Sequence, residues 1–113
     1  DADALTLLTG NPEHAEKTNA DAVFTPHSGE MKRLAEAFGI DAGQTRIEQA
    51  KALAARLRST IVLKGAHTVV AGKDGSCAVN LSGCPALATA GSGDILSGMI
   101  GAFLANGRYT VFE

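Results

Sequence analysis

Apolar and polar residues form blocks along the chain that predict strands and helices in turn. An apolar run at 22–25 ends at Pro26 and predicts a short buried strand. The run Thr60–Leu63 is β-branched and uncharged, and it predicts the strongest strand. Residues 67–71 and 76–79 predict two further strands joined by a glycine-containing turn at 72–75.

Helical spacing of apolar residues predicts two helices between the first two strands. Ser28 is the expected N-cap of the first helix, and Gly39 is the expected end. Thr45 and Glu48 have the spacing of a capping box at the start of the second. The expected apolar faces are Met31, Leu34, Ala35 and Phe38 in the first helix, and Ile47, Ala50, Leu53, Ala54 and Leu57 in the second.

The two ends of the chain complete the pattern. Leucines at 5–8 indicate a short helix or turn that closes at residues 10–12, and the polar residues 13–20 predict a surface connection. After a loop of small residues, a last helix is expected to begin at 93–94 and end at Gly107. The order strand, helix, helix, strand, hairpin, helix is typical of an α/β protein. With so few strands, we expect the chain to be part of a larger α/β domain.

The composition and charge of the chain argue against several classes of function. A net charge of −2 and the absence of Trp argue against a nucleic-acid partner. No apolar run reaches membrane-spanning length, so no membrane partner is expected. Cys77 and Cys84 have neither redox nor zinc spacing, which favours free thiols in a reducing cytoplasm. The three histidines are scattered, so no metal ligand set is predicted.

The residues Ala90-Gly91-Ser92-Gly93-Asp94 stand where the last helix begins. Glycines let a ligand approach the backbone, and the first amide groups of a helix have no intrahelical partner. Together they predict an anion site for phosphate. A carboxylate beside phosphate is costly unless it accepts a proton, so Asp94 is a candidate general base. The alternative is that the glycines merely permit close packing and Asp94 stabilises the first helical turn.

Four blocks of the sequence resemble motifs of the NAD(P)H-hydrate dehydratases, in that family's order. They are DADAL at 1–5, TPHSGEM at 25–31, VLKGAHTVV at 62–70 and ATAGSGDILSG at 88–98. The resemblance implies a ribokinase-like α/β fold, with a mostly parallel central sheet flanked by helices. The predicted domain is residues 1–113, the C-terminal part of the dehydratase domain.

The resemblance also implies a repair reaction. Water has added to the nicotinamide ring of NADH or NADPH, and ADP or ATP, with Mg²⁺, phosphorylates the resulting hydroxyl. Phosphate then leaves and the reduced cofactor is restored. A homo-oligomer, and fusion or pairing with an NAD(P)H-hydrate epimerase, are also implied.

Site residues follow from the same motifs. Asp94 is the implied base that also contacts the substrate, and His27 is implied to face the hydrated dinucleotide. Asn80 is a weaker candidate for phosphate or magnesium contacts, Glu30 for orienting His27, and Asp1 and Asp3 for capping or substrate contacts. The implied anion hole is Gly91, Ser92 and Gly93. The implied nucleotide site is Lys64, Gly65, Ala66, His67, Thr68 and Gly93.

Two other functions stay open at this point. A ribokinase-like kinase for a hydroxymethylpyrimidine, a thiazole alcohol or a sugar would share the glycines and Asp94, but it leaves the TPHSGEM block unexplained. A non-catalytic nucleotide-binding or assembly module fits a partial domain.

Overall fold

The computed structural model describes residues 2–17 and 21–113. Its elements form an α/β unit in which helices pack on a small sheet. The helices are α1 (Ala2–Gly10), α2 (Pro12–Glu16), α3 (Ser28–Phe38), α4 (Arg46–Leu57) and α5 (Ser92–Asn106). The strands are β1 (Val23–Phe24), β2 (Thr60–Leu63), β3 (Val69–Ala71) and β4 (Cys77–Val79), and a 3₁₀ turn lies at Pro85–Leu87.

The sheet has the strand order β1-β2-β3-β4. Strand β1 is parallel to β2, whereas the β2–β3 and β3–β4 pairs are antiparallel. The predicted hairpin is therefore confirmed, but the expectation of a mostly parallel sheet is wrong for the strands of this chain. The reason is connection length, because residues 64–68 and 72–76 only reverse the chain, whereas a parallel crossover needs about a dozen residues or more.

One face of the sheet carries the core. Alternate residues of β2 and β3 point to helices α3 and α4, and Leu5 of α1 is also buried. The predicted apolar faces are confirmed except for Ile47, which is 42% exposed in the first turn of α4. The largest fully buried side chains are Leu5, Pro26, Met31, Leu34, Leu53, Leu57, Ile61 and Leu63.

The other face of the sheet is thinly covered. Val23, Val62 and Val70 line a groove of about 400 Å³, whose other walls are residues 100–104 of α5 and the segment 109–113. No residue described in α5 is buried, and Ile95 is 67% exposed. Helix α5 is thus present as predicted, while its apolar residues remain largely in contact with solvent.

The amino-terminal segment differs from the sequence prediction. Residues 13–20 were expected to form a polar connection, but Pro12–Glu16 is helix α2. Proline has no amide hydrogen, and the amides of the first helical turn have no partner within the helix. Pro12 can therefore begin a helix here. Residues 18–20 and Asp1 lie outside the described residues. Among the helices that are described, none has the length and apolar character to cross a membrane.

Candidate functional site

Three of the predicted site segments meet at one edge of the sheet. Strands β1, β2 and β4 run in the same direction, so their carboxyl ends share that edge. The residues that follow them include His27, Lys64 and Asn80. The Lys64 amide donates to the Pro26 carbonyl over 2.8 Å, and the Asn80 amide donates to the Thr68 carbonyl over 2.9 Å. The carboxyl ends of strands are where open α/β sheets bind ligands.

His27 is the N-cap of α3, where Ser28 was expected. Its Nδ1 accepts hydrogen bonds from the amides of Gly29 (3.0 Å) and Glu30 (3.3 Å). In return the Glu30 carboxylate accepts from the His27 amide over 2.7 Å. The prediction of Ser28 as the cap is wrong because an imidazole nitrogen accepts the same amide hydrogen bonds as a hydroxyl does.

This cap fixes the orientation of the His27 ring and determines which ring nitrogen carries the hydrogen. Because Nδ1 accepts two amide hydrogens, the neutral imidazole carries its own hydrogen on Nε2. The side chain is 57% exposed, and Nε2 lies 3.6 Å from the buried Glu30 carboxylate. The Glu30 carboxylate therefore completes the capping box and lies beside the ring of His27, which its own Nδ1 hydrogen bonds hold in place.

The loop of residues 64–68, here called the lysine loop, is held from several sides. The Thr68 hydroxyl donates to the Gly65 carbonyl over 3.2 Å. Gly83 packs so closely that a Cβ atom there would lie 2.6 Å from the Ala66 carbonyl oxygen. Ala66 and His67 are exposed, and Lys64 is half-buried. The loop therefore offers exposed backbone and a lysine on a defined support.

Arg46 is a residue of this region that the sequence prediction missed. The motifs that imply the site do not include it, because it lies between TPHSGEM at 25–31 and VLKGAHTVV at 62–70. In the structure its guanidinium donates to the carbonyls of Leu63 (3.3 Å) and Lys64 (3.1 Å). The partners are 17 and 18 residues away along the chain, and no local pattern signals such a contact.

The residues 91–94, here called the glycine turn, begin α5 as predicted. Gly91 is the N-cap with φ at +85°, a conformation that favours glycine. The Ser92 hydroxyl donates to the Thr89 carbonyl over 2.8 Å, and the exposed Asp94 lies in the first helical turn. Within the described residues, a Cβ at Gly91 or Gly98 would meet nothing within 4 Å. Close packing within the described part of the chain therefore does not explain these two glycines.

The glycine turn is open to solvent, and it is not joined directly to the sheet edge. Among the described residues, the Asp94 carboxylate makes no hydrogen bond or ion pair with His27. A groove of about 220 Å³ lies between α3 and α4 beside the end of β2, and the turn does not line it or the larger groove. The lining of this smaller groove is Ser28, Met31, Lys32, Ala35, Ala42, Arg46, Gln49 and Leu63.

Asn80 is poorly placed to bind magnesium. Asn80 uses its side-chain oxygen to accept hydrogen bonds from the amide (2.9 Å) and hydroxyl (2.7 Å) of Ser82. That oxygen is therefore engaged in a turn and is a poor Mg²⁺ ligand. In the part of the chain that the structure describes, no three His, Cys, Asp or Glu residues converge. Mg²⁺ commonly binds through phosphate oxygens and water with only one or two carboxylates, so a nucleotide itself would supply most of its ligands.

The chain is similar in sequence and structure to known proteins. The model of the NAD(P)H-hydrate dehydratase family matches residues 1–112. The bifunctional NAD(P)H-hydrate repair enzyme Nnr of Thermofilum pendens is 45% identical over 107 residues, which make up 95% of this chain and 20% of that protein.

Two solved structures are similar. One is an ADP/ATP-dependent NAD(P)H-hydrate dehydratase from Bacillus subtilis, co-crystallised with ATP and Mg²⁺, at 42% identity and a TM-score of 0.64. It covers 75% of this chain and 32% of its own. The other is a ribokinase-like superfamily protein from Enterococcus faecalis, at 36% identity and a TM-score of 0.70, covering 90% of this chain and 34% of its own.

The chain thus spans between a fifth and about a third of the proteins that it matches. The ribokinase-like α/β fold implied by the four motifs is confirmed. The match over residues 1–112 shows that the chain belongs to the NAD(P)H-hydrate dehydratase family.

Proposed function

We propose that the protein carrying this chain restores NADH or NADPH from the hydrated forms, using ADP or ATP as phosphoryl donor. The observation that carries the proposal is the hydrogen bond from the Lys64 amide to the Pro26 carbonyl. It brings TPHSGEM and VLKGAHTVV, the two most specific motifs, to one edge of the sheet. The names of the relatives support the same reaction, since they are an NAD(P)H-hydrate repair enzyme and an ADP/ATP-dependent dehydratase.

The lysine loop and the glycine turn hold the phosphoryl donor in this proposal. Lys64 acts as a point charge on nucleotide phosphates, and the exposed residues Gly65 to His67 line the nucleotide together with the half-buried Thr68. The amides of Gly91 and Gly93 stabilise negative charge on the transferred group at the positive end of α5, whereas the amide of Ser92 donates to the Thr89 carbonyl over 3.3 Å. Mg²⁺, when bound, neutralises part of the charge on the phosphate oxygens.

Asp94 and His27 act on the substrate. The Asp94 carboxylate accepts the proton of the ring hydroxyl as the hydroxyl oxygen forms a bond to the terminal phosphorus, and the bond from that phosphorus to the nucleotide breaks. The ring carbon–oxygen bond then breaks, and phosphate leaves with the electron pair of that bond. The neighbouring carbon loses a proton to solvent, and the electron pair of its C–H bond forms the double bond again. His27 donates a hydrogen bond from Nε2 to the dinucleotide.

The cellular setting is part of the proposal. Cys77 and Cys84 are exposed free thiols, which supports a reducing cytoplasm. A homo-oligomer is expected from the family resemblance alone. The bifunctional relative supports pairing with an epimerase. Residues 1–113 are then part of one dehydratase domain.

The test uses the full-length protein with NADH hydrate, Mg²⁺ and either ADP or ATP. Recovery of NADH absorbance that requires nucleotide supports the proposal. Stable phosphorylation of a hydroxymethylpyrimidine, a thiazole alcohol or a sugar, without NADH recovery, would assign a kinase instead. Nucleotide binding without turnover of any of these would assign a binding or assembly module.

A further inference from the structure

Arg46 reaches from the first turn of α4 to the start of the lysine loop. One guanidinium nitrogen, Nη2, lies 3.3 Å from the Leu63 carbonyl oxygen and 3.1 Å from that of Lys64. A guanidinium is always charged and planar, so it binds two successive carbonyls in a fixed geometry. These two carbonyls mark the point where β2 ends and the loop begins.

Gly65 makes room for this contact. A Cβ atom at Gly65 would lie 2.5 Å from Nη1 and 2.6 Å from Nη2 of Arg46, and 3.0 Å from Cζ. These are the nearest three atoms around that position, and all belong to one guanidinium. The absence of a side chain at residue 65 therefore allows Arg46 to lie against the backbone of the loop.

Helix α4 does not depend on Arg46 for its attachment to the sheet. Ala50, Leu53, Ala54 and Leu57 are all buried, and they anchor the helix in the core. Arg46 is itself exposed, and its hydrogen bonds go to the loop side of β2. The contact therefore acts on the conformation of the loop more than on the packing of the helix.

We propose that Arg46 is a positioning residue that sets the backbone of the lysine loop for nucleotide binding. The inference rests on the proposed function, in which this loop lines the nucleotide. Arg46 fixes the loop where it leaves β2, and Gly83 supports it beside Ala66. Loss of the guanidinium leaves the loop free to take other conformations. Nucleotide affinity falls because part of the binding free energy is then used to order the loop.

The experiment compares Arg46→Met and Arg46→Lys with wild type in the full-length protein, using titration with ADP and with ATP and steady-state kinetics. Loss of two charge-assisted hydrogen bonds predicts a rise of about tenfold in Kd and KM for nucleotide for Arg46→Met. Its kcat at saturating nucleotide stays within about twofold of wild type, because the groups that react are unchanged. Arg46→Lys recovers part of the affinity, since an ammonium still reaches one carbonyl. Lys51→Met, an exposed change on the same helix, leaves Kd unchanged.

A double-mutant cycle with Gly65→Ala gives a second measurement. The added methyl group displaces the guanidinium, so Gly65→Ala alone weakens nucleotide binding. In an Arg46→Ala background the same change costs less than it does in wild type, because the clashing atoms are gone, and the two effects are not additive.

Two results would overturn the inference while leaving the proposed function intact. One is wild-type nucleotide affinity in Arg46→Met, and the other is additivity in the cycle. Absence of nucleotide binding by the wild-type protein would overturn both the inference and the proposed function.

Discussion

Substitutions at His27 separate the observed cap of α3 from the proposed hydrogen bond to substrate. The ring accepts two amide hydrogen bonds through Nδ1, and its Nε2 lies 3.6 Å from the Glu30 carboxylate in a side chain that is 57% exposed. Asparagine accepts the same amide hydrogen bonds as an N-cap, but it has no group at the Nε2 position. His27→Asn therefore keeps the cap and loses the donor, whereas His27→Ala loses both.

The expected magnitudes follow from these contacts. Loss of an N-cap costs about 1 kcal/mol, and the amide groups freed in His27→Ala lie at least partly in reach of water, which limits the cost. His27→Asn should lie within about 0.5 kcal/mol of wild type. Loss of one hydrogen bond to substrate lowers kcat/KM by about tenfold in both variants.

The assays are urea unfolding followed by circular dichroism, and NADH recovery from the hydrate. Gly39→Ala is the matched control, since Gly39 ends the same helix at φ +68° with no atom within 4 Å of an added Cβ. It should cost about 1 kcal/mol through backbone strain and leave kcat/KM unchanged. Full activity of His27→Asn would refute substrate contact by the imidazole. Unchanged stability of His27→Ala would refute the cap.

Three further predictions concern the base, the core and a second cap. Asp94→Asn should lower turnover, measured by NADH recovery, by at least about 100-fold. Its nucleotide Kd, measured by titration, should stay within about twofold of wild type. An unchanged rate would remove Asp94 from the mechanism. Leu53→Ala should lower the free energy of unfolding, measured by urea unfolding, by about 3–5 kcal/mol, because Leu53 is fully buried. A loss below about 1 kcal/mol would contradict that packing. Hydrogen bonds from the Thr45 amide and hydroxyl lower the pKa of Glu48 from 4.5. The ionised Glu48 therefore stabilises the folded protein fully above pH 4.5, and this stabilisation is lost as the pH falls through the lowered pKa. Urea midpoints against pH should show this loss in wild type and not in Glu48→Gln, and identical curves would count against it.

Local sequence signals predicted most elements because caps and turns act over a few residues. The capping box of Thr45 and Glu48 is present as expected, and Gly39 and Gly107 end their helices. Where two local interpretations were available, sequence alone did not decide between them. Pro12 begins a helix instead of ending one, and the N-cap of α3 is one residue earlier than Ser28.

Features that depend on distant contacts were not accessible from the sequence. The pairing of β1 with β2 joins the motifs around Pro26 and Lys64, which lie 38 residues apart. The contact of Arg46 with β2 is likewise tertiary. The exposure of α5 depends on which elements cover it, and neither helical period nor apolar content indicates that.

The fate of the ring hydroxyl oxygen tests the proposed mechanism most directly. NADH hydrate prepared in ¹⁸O-labelled water carries the label in that hydroxyl group, and mass spectrometry of the products follows it during turnover with ATP and Mg²⁺. Phosphorylation followed by elimination predicts one labelled oxygen in each phosphate released, with one phosphate formed per NADH. Label recovered in water, with unlabelled phosphate, would contradict transfer of a phosphoryl group to the substrate.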